Sequence, residues 1–117
     1  YTLVSELGRG GMGSVYLARD NVLDRQVAIK TLLSGSFDSP AIRIRFFHEV
    51  RLTARLNHPN VVRVHGAGTN TRGRPFVVLE YLDGRDLLSI LRDRGSGWSA
   101  ELLDPLAQAC DGLDYAH

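Results

Sequence analysis

Gly8-Arg9-Gly10-Gly11-Met12-Gly13-Ser14-Val15-Tyr16-Leu17 packs four glycines into six residues and then runs directly into strand-forming side chains. A glycine held in extended structure costs about 0.5–1 kcal/mol against alanine, so four cost about 2–4 kcal/mol. A plain hairpin needs only one or two. The excess implies that something approaches the backbone closely, and a phosphate chain cradled by main-chain N–H groups is the usual occupant. A flexible hairpin tip is the plain alternative for this segment taken alone. The spacing G-x-G-x-x-G also fits a dinucleotide-binding turn, but there the glycines open a helix, and here Ser14 to Leu17 continue as a strand. A Walker-type phosphate loop is excluded because no lysine follows Gly13.

Working outward, residues 1–20 read as two strands around that turn, and Gln26 to Leu33 as a third, apolar enough to be covered on both faces. A polar loop spans Ser34 to Ser39. Ser39-Pro40 then supplies an N-cap and a first-turn proline for a helix running to about Leu56, stopped by Asn57-His58-Pro59. Val61 to Gly68 and Pro75 to Leu82 are two further strands joined by the turn-rich Thr69 to Arg74. Asp83-Gly84 breaks the chain before a short helix over Asp86 to Arg94. Gly95-Ser96-Gly97 is a joint, and Ser99 opens a last helix. The expected fold class is α+β: a five-stranded, mainly antiparallel sheet with one helix on one side, followed by two helices. The last helix carries Leu102, Leu106, Cys110 and Leu113 on one stripe, with Ala109 beside it, and no remaining segment covers them. A chain stopping there at Tyr115-Ala116-His117 reads as cut, and Tyr1 in place of Met leaves any preceding segment open.

The 117 residues amount to one domain at most, and 44% hydrophobic with 23% charged residues is a globular composition. A formal charge of +1 gives no reason to expect a nucleic-acid partner. The lone Cys110 excludes an internal disulfide and a cysteine-rich zinc site. His48, His58, His65 and His117 lack metal-ligand spacing and read as structural. No apolar run reaches the roughly 18–20 residues that span a bilayer.

Two charged residues stand out by position. Of fourteen basic residues thirteen are Arg, and Lys30 is the single Lys, set in the apolar strand Val27-Ala28-Ile29-Lys30. On the first long helix Ile42, Phe46, Glu49, Thr53 and Leu56 share one face, which puts Glu49 in the stripe expected to meet the sheet. A carboxylate buried without a partner costs several kcal/mol or is neutralised. Arg45, one turn back, is the local partner, but such a pair gives about 0.2–0.5 kcal/mol and has the poorer orientation. An ion pair between Lys30 and Glu49 is therefore expected, with the ammonium held towards the glycine-rich turn and a phosphate.

These motifs resemble the protein kinase family, which combines a glycine loop, a strand lysine and a helix glutamate. The match runs through Leu7 to Tyr16, Val27-Ala28-Ile29-Lys30, Glu49, Asn57-His58-Pro59-Asn60-Val61-Val62 and Val78-Leu79-Glu80-Tyr81-Leu82-Asp83-Gly84, and its Gly-Gly-Met-Gly form is similar to bacterial serine/threonine kinases. The resemblance implies a small lobe and hinge over residues 1–82 and the start of the large lobe over 83–117. It implies that Gly8, Gly10, Gly11 and Gly13 close over the phosphates of ATP and that Lys30, held by Glu49, contacts the α- and β-phosphates. Leu7, Val15 and Ala28 would sandwich the adenine, with Leu79 as gatekeeper. The main chain of Glu80 and Leu82 would meet the purine edge, and Asp86 the ribose. The plain readings are that Leu79 and Ala28 are core residues and that Asp86 caps its helix. ATP, Mg²⁺ and a protein substrate are the implied ligands, a cytoplasmic location is implied, and the rest of the large lobe would lie against the last helix.

The departures also matter. The catalytic-loop Asp, the Asn for a second magnesium and the D-F-G Asp do not occur in these 117 residues. The chain by itself is therefore expected to bind nucleotide weakly and to transfer no phosphoryl group. A nucleotide-sensing pseudokinase and a protein-interaction scaffold are the alternative classes, the first disfavoured by intact Lys30, Glu49 and loop glycines.

Overall fold

The computed structural model describes residues 1–11, 13–32, 39–95 and 100–117. The expected loop over 34–38, the joint at Ser96-Gly97, the helix start at Ser99 and the residue Met12 lie outside them. The chain divides into two compact units, Tyr1–Asn57 with Val62–Tyr81, and His58–Val61 with Leu82–His117.

The first unit holds β1 (Thr2–Gly10), β2 (Gly13–Asp20), β3 (Arg25–Leu32), α1 (Pro40–Thr53), β4 (Val64–Thr69) and β5 (Pro75–Glu80). The strands form one sheet in the order β1-β2-β3-β5-β4, antiparallel throughout. The β-branched and apolar run of β3 makes it the central strand, and Val27, Ala28 and Ile29 are buried on both of its faces. Opposite register partners share a face, so the buried cluster of Ala18, Val27, Ile29 and Val78, with Phe76 against it, lies on one side of the sheet. Lys30, Val77 and Leu79 occupy the other, the side lined by α1. β1 is a fully exposed edge strand, pinned near its start where the Tyr1 ring meets Phe76 edge to face at 6.3 Å.

The turns follow their chemistry. Asp24 adopts φ 51°, which an aspartate tolerates. Asn70 Oδ1 accepts from the N–H groups of Arg72 and Arg74 at 2.9 and 3.0 Å, and Gly73 takes φ 75°. Several boundaries differ from expectation, three of them by two residues or more. The first helix ends at Thr53, three residues early. β4 starts at Val64, because Val61 donates to His58 in a turn, and β5 stops at Glu80. Ser39 is extended and makes no side-chain cap.

No residue of α1 is buried. Phe46, Phe47 and Val50 are half-buried, while Ile42 and Ile44 are exposed. The helix touches the sheet chiefly at β4, and a cavity of about 330 Å³ separates its inner face from β3 and β5.

In the second unit α2 (Leu87–Arg94) and α3 (Leu103–Ala116) follow, the latter entered through a 3₁₀ turn at Ala100–Leu102. A proline within a helix deletes one hydrogen bond and clashes with the carbonyl four residues back, and that turn bears on Pro105. With the helix starting at Leu103, the proline sits in the first turn, where an N–H has no intrahelical acceptor to lose. Leu102 is buried, whereas Leu106, Cys110 and Leu113 are exposed. Gly112 lies so close to Asn60 that a Cβ would come within 2.9 Å of its carbonyl oxygen, and His58 stacks on Tyr115 at 5.0 Å.

Asp20 ends β2 with its carboxylate turned inward. It accepts from the N–H groups of Val22 and Leu23 at 3.0 and 3.1 Å and lies 3.7 Å from Arg25 Nε. The Leu23 N–H, then that of Val22 and the Arg25 charge, hold its carboxyl below the usual range against the opposing effect of burial. A lowered folded pKa contributes stability above the unfolded value of about 3.9 and loses it as pH falls through the folded value. Asp20→Asn is therefore expected to lower the urea midpoint at pH 7 and to flatten the fall in stability below about pH 4. Urea titrations of wild type and variant between pH 2 and 7 check this.

Candidate functional site

The register lines up the expected residues in two transverse ranks on the α1 side of the sheet. Gly8 lies opposite Val15, Val15 opposite Lys30 and Lys30 opposite Val77. One pair further along, Leu17 faces Ala28, Ala28 faces Leu79 and Leu79 faces Val64. Val15, Ala28, Lys30 and Leu79 thus share one surface, and Leu7 stands beside it at a register shift in β1 between Glu6 and Gly8.

The glycines divide into two kinds. Gly13 is required by the fold itself: its φ is 145°, and a Cβ there would collide with the main-chain carbonyl of Thr31. Gly8, Gly10 and Gly11 are not. None has a positive φ, and a Cβ on any of them meets nothing within 4 Å. Among the described residues, neither backbone conformation nor internal packing explains these three.

Lys30 is half-buried among apolar neighbours. It lines the cavity beneath α1 together with Phe46, Glu49, Val50 and Leu79. The expected ion pair is not formed, however: among the described residues none joins Lys30 to Glu49. Glu49 Oε1 instead accepts from Arg45 Nε at 2.9 Å, with the two side chains 60% and 81% exposed. The burial cost that demanded a cation from the sheet does not arise, because α1 stands off far enough for water to reach the carboxylate. Thr53 Oγ1 donates to the Glu49 carbonyl at 3.0 Å, one turn on.

At the end of β5, the Glu80 N–H donates to the Arg63 carbonyl at 2.9 Å. The Glu80 carboxylate accepts from the Arg63 N–H at 2.7 Å. Arg63 in turn donates to Asn57 at 3.2 Å. The Glu80 amide proton is therefore already used. Nearby His65 is pushed below its usual pKa, by burial first and then by the charge of Arg25. Val64, Phe46 and Val50 were missed as site residues. Helical and strand periodicity place them on the correct faces, but only the stand-off of α1 makes them line a cavity.

In the second unit Leu82 is exposed. Asp86 caps α2, one carboxylate oxygen accepting from the Ser89 N–H and the other from the Ser89 hydroxyl, both at 2.7 Å. The Ser89 hydroxyl and then its N–H hold the Asp86 carboxyl below the usual range. The cap is what the geometry displays for this residue. Among the described residues no group of three or more His, Cys, Asp or Glu could hold a metal ion, and no helix is long and apolar enough to cross a membrane.

The family description "Protein kinase domain" matches residues 1–117. The chain belongs to the protein kinase domain family. It is 38% identical over 120 residues to the serine/threonine-protein kinase PknB of Mycobacterium leprae, covering all of this chain and 19% of that protein. It is 39% identical over 119 residues to the serine/threonine-protein kinase PknF of Mycobacterium tuberculosis, covering 25% of that protein. The crystal structure of the M. tuberculosis PknI kinase domain superposes on the whole chain with a TM-score of 0.84 at 33% identity, over 47% of that domain chain. The chain thus spans about a fifth to a quarter of these full-length relatives and about half of a solved kinase domain.

The two kinds of glycine predict different losses. Gly13→Ala is expected to destabilise the first unit by about 1–3 kcal/mol, since the backbone must shift. Gly10→Ala is expected to leave stability unchanged or slightly raised while weakening Mg-ATP binding. Urea midpoints and nucleotide titrations on the same two variants check both halves.

Proposed function

We propose that this chain forms the nucleotide-binding part of a serine/threonine protein kinase, with residues 1–82 as its small lobe and hinge and 83–117 as the start of its large lobe. The observation that carries the reading is Lys30: a half-buried ammonium in an apolar rank, without an ionic partner among the described residues, in line with Gly8 across β2. A charge so placed needs an anion, and a phosphate chain lying along bare backbone supplies one.

ATP supplies the γ-phosphoryl group for transfer to a protein hydroxyl, and the work left to the protein is positioning and charge stabilisation. Gly8, Gly10 and Gly11 let the loop backbone approach the phosphates within N–H reach, and Gly13 fixes the loop's base against β3. Lys30 serves the α- and β-phosphates as a compact point charge on a flexible stem. Val15 and Ala28, with Leu7 beside them, offer an apolar surface to the adenine, and Leu79 bounds it towards the cavity. With its N–H committed to Arg63, Glu80 has its carbonyl to offer the purine amine. For Leu82 and Asp86 the proposal rests on their places in the motif alone. Mg²⁺ balances phosphate charge in this chemistry, and no carboxylate of this chain is assigned to it, because the family's magnesium ligands fall in motifs these 117 residues do not contain. The chain by itself is accordingly read as incompetent for transfer.

Lys30→Met in the full-length protein is expected to retain the fold and to lower phosphotransfer by about a hundredfold or more, as for other single electrostatic contributors at a reacting phosphate. Radiolabel transfer from ATP to a generic protein substrate, with circular dichroism as the folding control, checks this. An unaltered rate would remove the role given to Lys30. Phosphotransfer by the isolated 117 residues would overturn the assignment of the missing motifs.

A further inference from the structure

Arg45 has no part in the reading above, yet it holds Glu49, the carboxylate of the family's lysine–glutamate pair. We infer that Arg45 is a positioning residue that competes with Lys30 for Glu49, and so sets how readily the nucleotide site closes. The inference rests on the kinase reading, in which an ion pair between the strand lysine and the helix glutamate must form for catalysis.

Four observations support it. Glu49 and Lys30 line the same cavity, so no wall of protein separates them, yet the carboxylate hydrogen-bonds Arg45 Nε at 2.9 Å instead. Helical side chains lean towards the N-terminus, which inclines Glu49 towards the turn that carries Arg45 and makes the local partner the default. α1 buries no residue, so moving it towards β3 breaks little packing and gains cover for Phe46 and Val50. The Arg45–Glu49 contact is exposed at both ends, which makes it weak enough to exchange.

A latch of this kind lowers apparent nucleotide affinity by the fraction of molecules it holds open. An i,i+4 pair is worth about a twofold bias. Its loss has a distinctive sign. Removing a cation near a polyanion would by itself weaken ATP binding, whereas freeing Glu49 for Lys30 tightens it.

The test is Mg-ATP titration of the full-length protein as wild type, Arg45→Gln, Arg45→Lys, Glu49→Gln and the double variant Arg45→Gln/Glu49→Gln. Arg45→Gln is expected to bind about twofold more tightly than wild type, with Arg45→Lys close to wild type. In the Glu49→Gln background Arg45→Gln is expected to have no tightening effect, since the competed group is gone. The gap between wild type and Arg45→Gln should also shrink at about 0.5 M salt, where an exposed pair is screened. Equal or weaker binding by Arg45→Gln, or tightening that persists without the Glu49 carboxylate, overturns the inference while leaving the kinase reading intact. Absence of Mg-ATP binding in every variant overturns the kinase reading and this inference with it.

Discussion

A lone ammonium on the central strand is the constraint around which the small unit is arranged. Lys30 sits where an apolar side chain would pack most cheaply, between Val15 and Val77 in register. Its neighbours on the same surface are Ala28, Leu79 and Leu17, none of which can hydrogen-bond it. A half-buried charge among such neighbours is favoured where water or an anion beyond the sheet compensates it. Gly8, one of the three glycines with empty space above them, lies in line with Lys30 across β2, and the cavity under α1 leaves room for a second, internal source. In the proposed kinase reading the two sources are a phosphate chain on one side and Glu49 on the other.

The sheet divides its labour by face. Ala18, Val27, Ile29 and Val78 form the buried cluster on the side away from α1, and Asp20 and Arg25 close its edge with an inward-turned carboxylate. The other face carries Lys30, Leu79 and the cavity. Alternation along β3 and β5 makes this possible, because successive residues point to opposite sides. The transition from packing to chemistry thus occurs within single strands rather than between elements.

Much of this was legible in the amino-acid order. The glycine run followed by Val15-Tyr16-Leu17 could only be a strand-loop-strand, and the apolar run at Val27 could only be central, so the sheet and its helix followed. The ion pair was not legible. Its prediction assumed that α1 lies tightly on the sheet and that Glu49 is therefore dehydrated. Neither the spacing of Ile42, Phe46 and Glu49 nor their identity reports how far a helix stands from its sheet, and an exposed carboxylate accepts a weak local partner. Arg45 is visible in the sequence as that partner, and the energetic argument against it holds only for a buried group.

The stand-off of α1 also bears on how this unit withstands heat and denaturant. A helix with no fully buried residue adds little to the free energy that keeps the strands together, so the sheet carries most of its own stability. On the proposed reading, loss of α1 by fraying or cleavage would remove Glu49 from the nucleotide site long before it melted the sheet, and a thermal denaturation curve alone would miss that kind of damage.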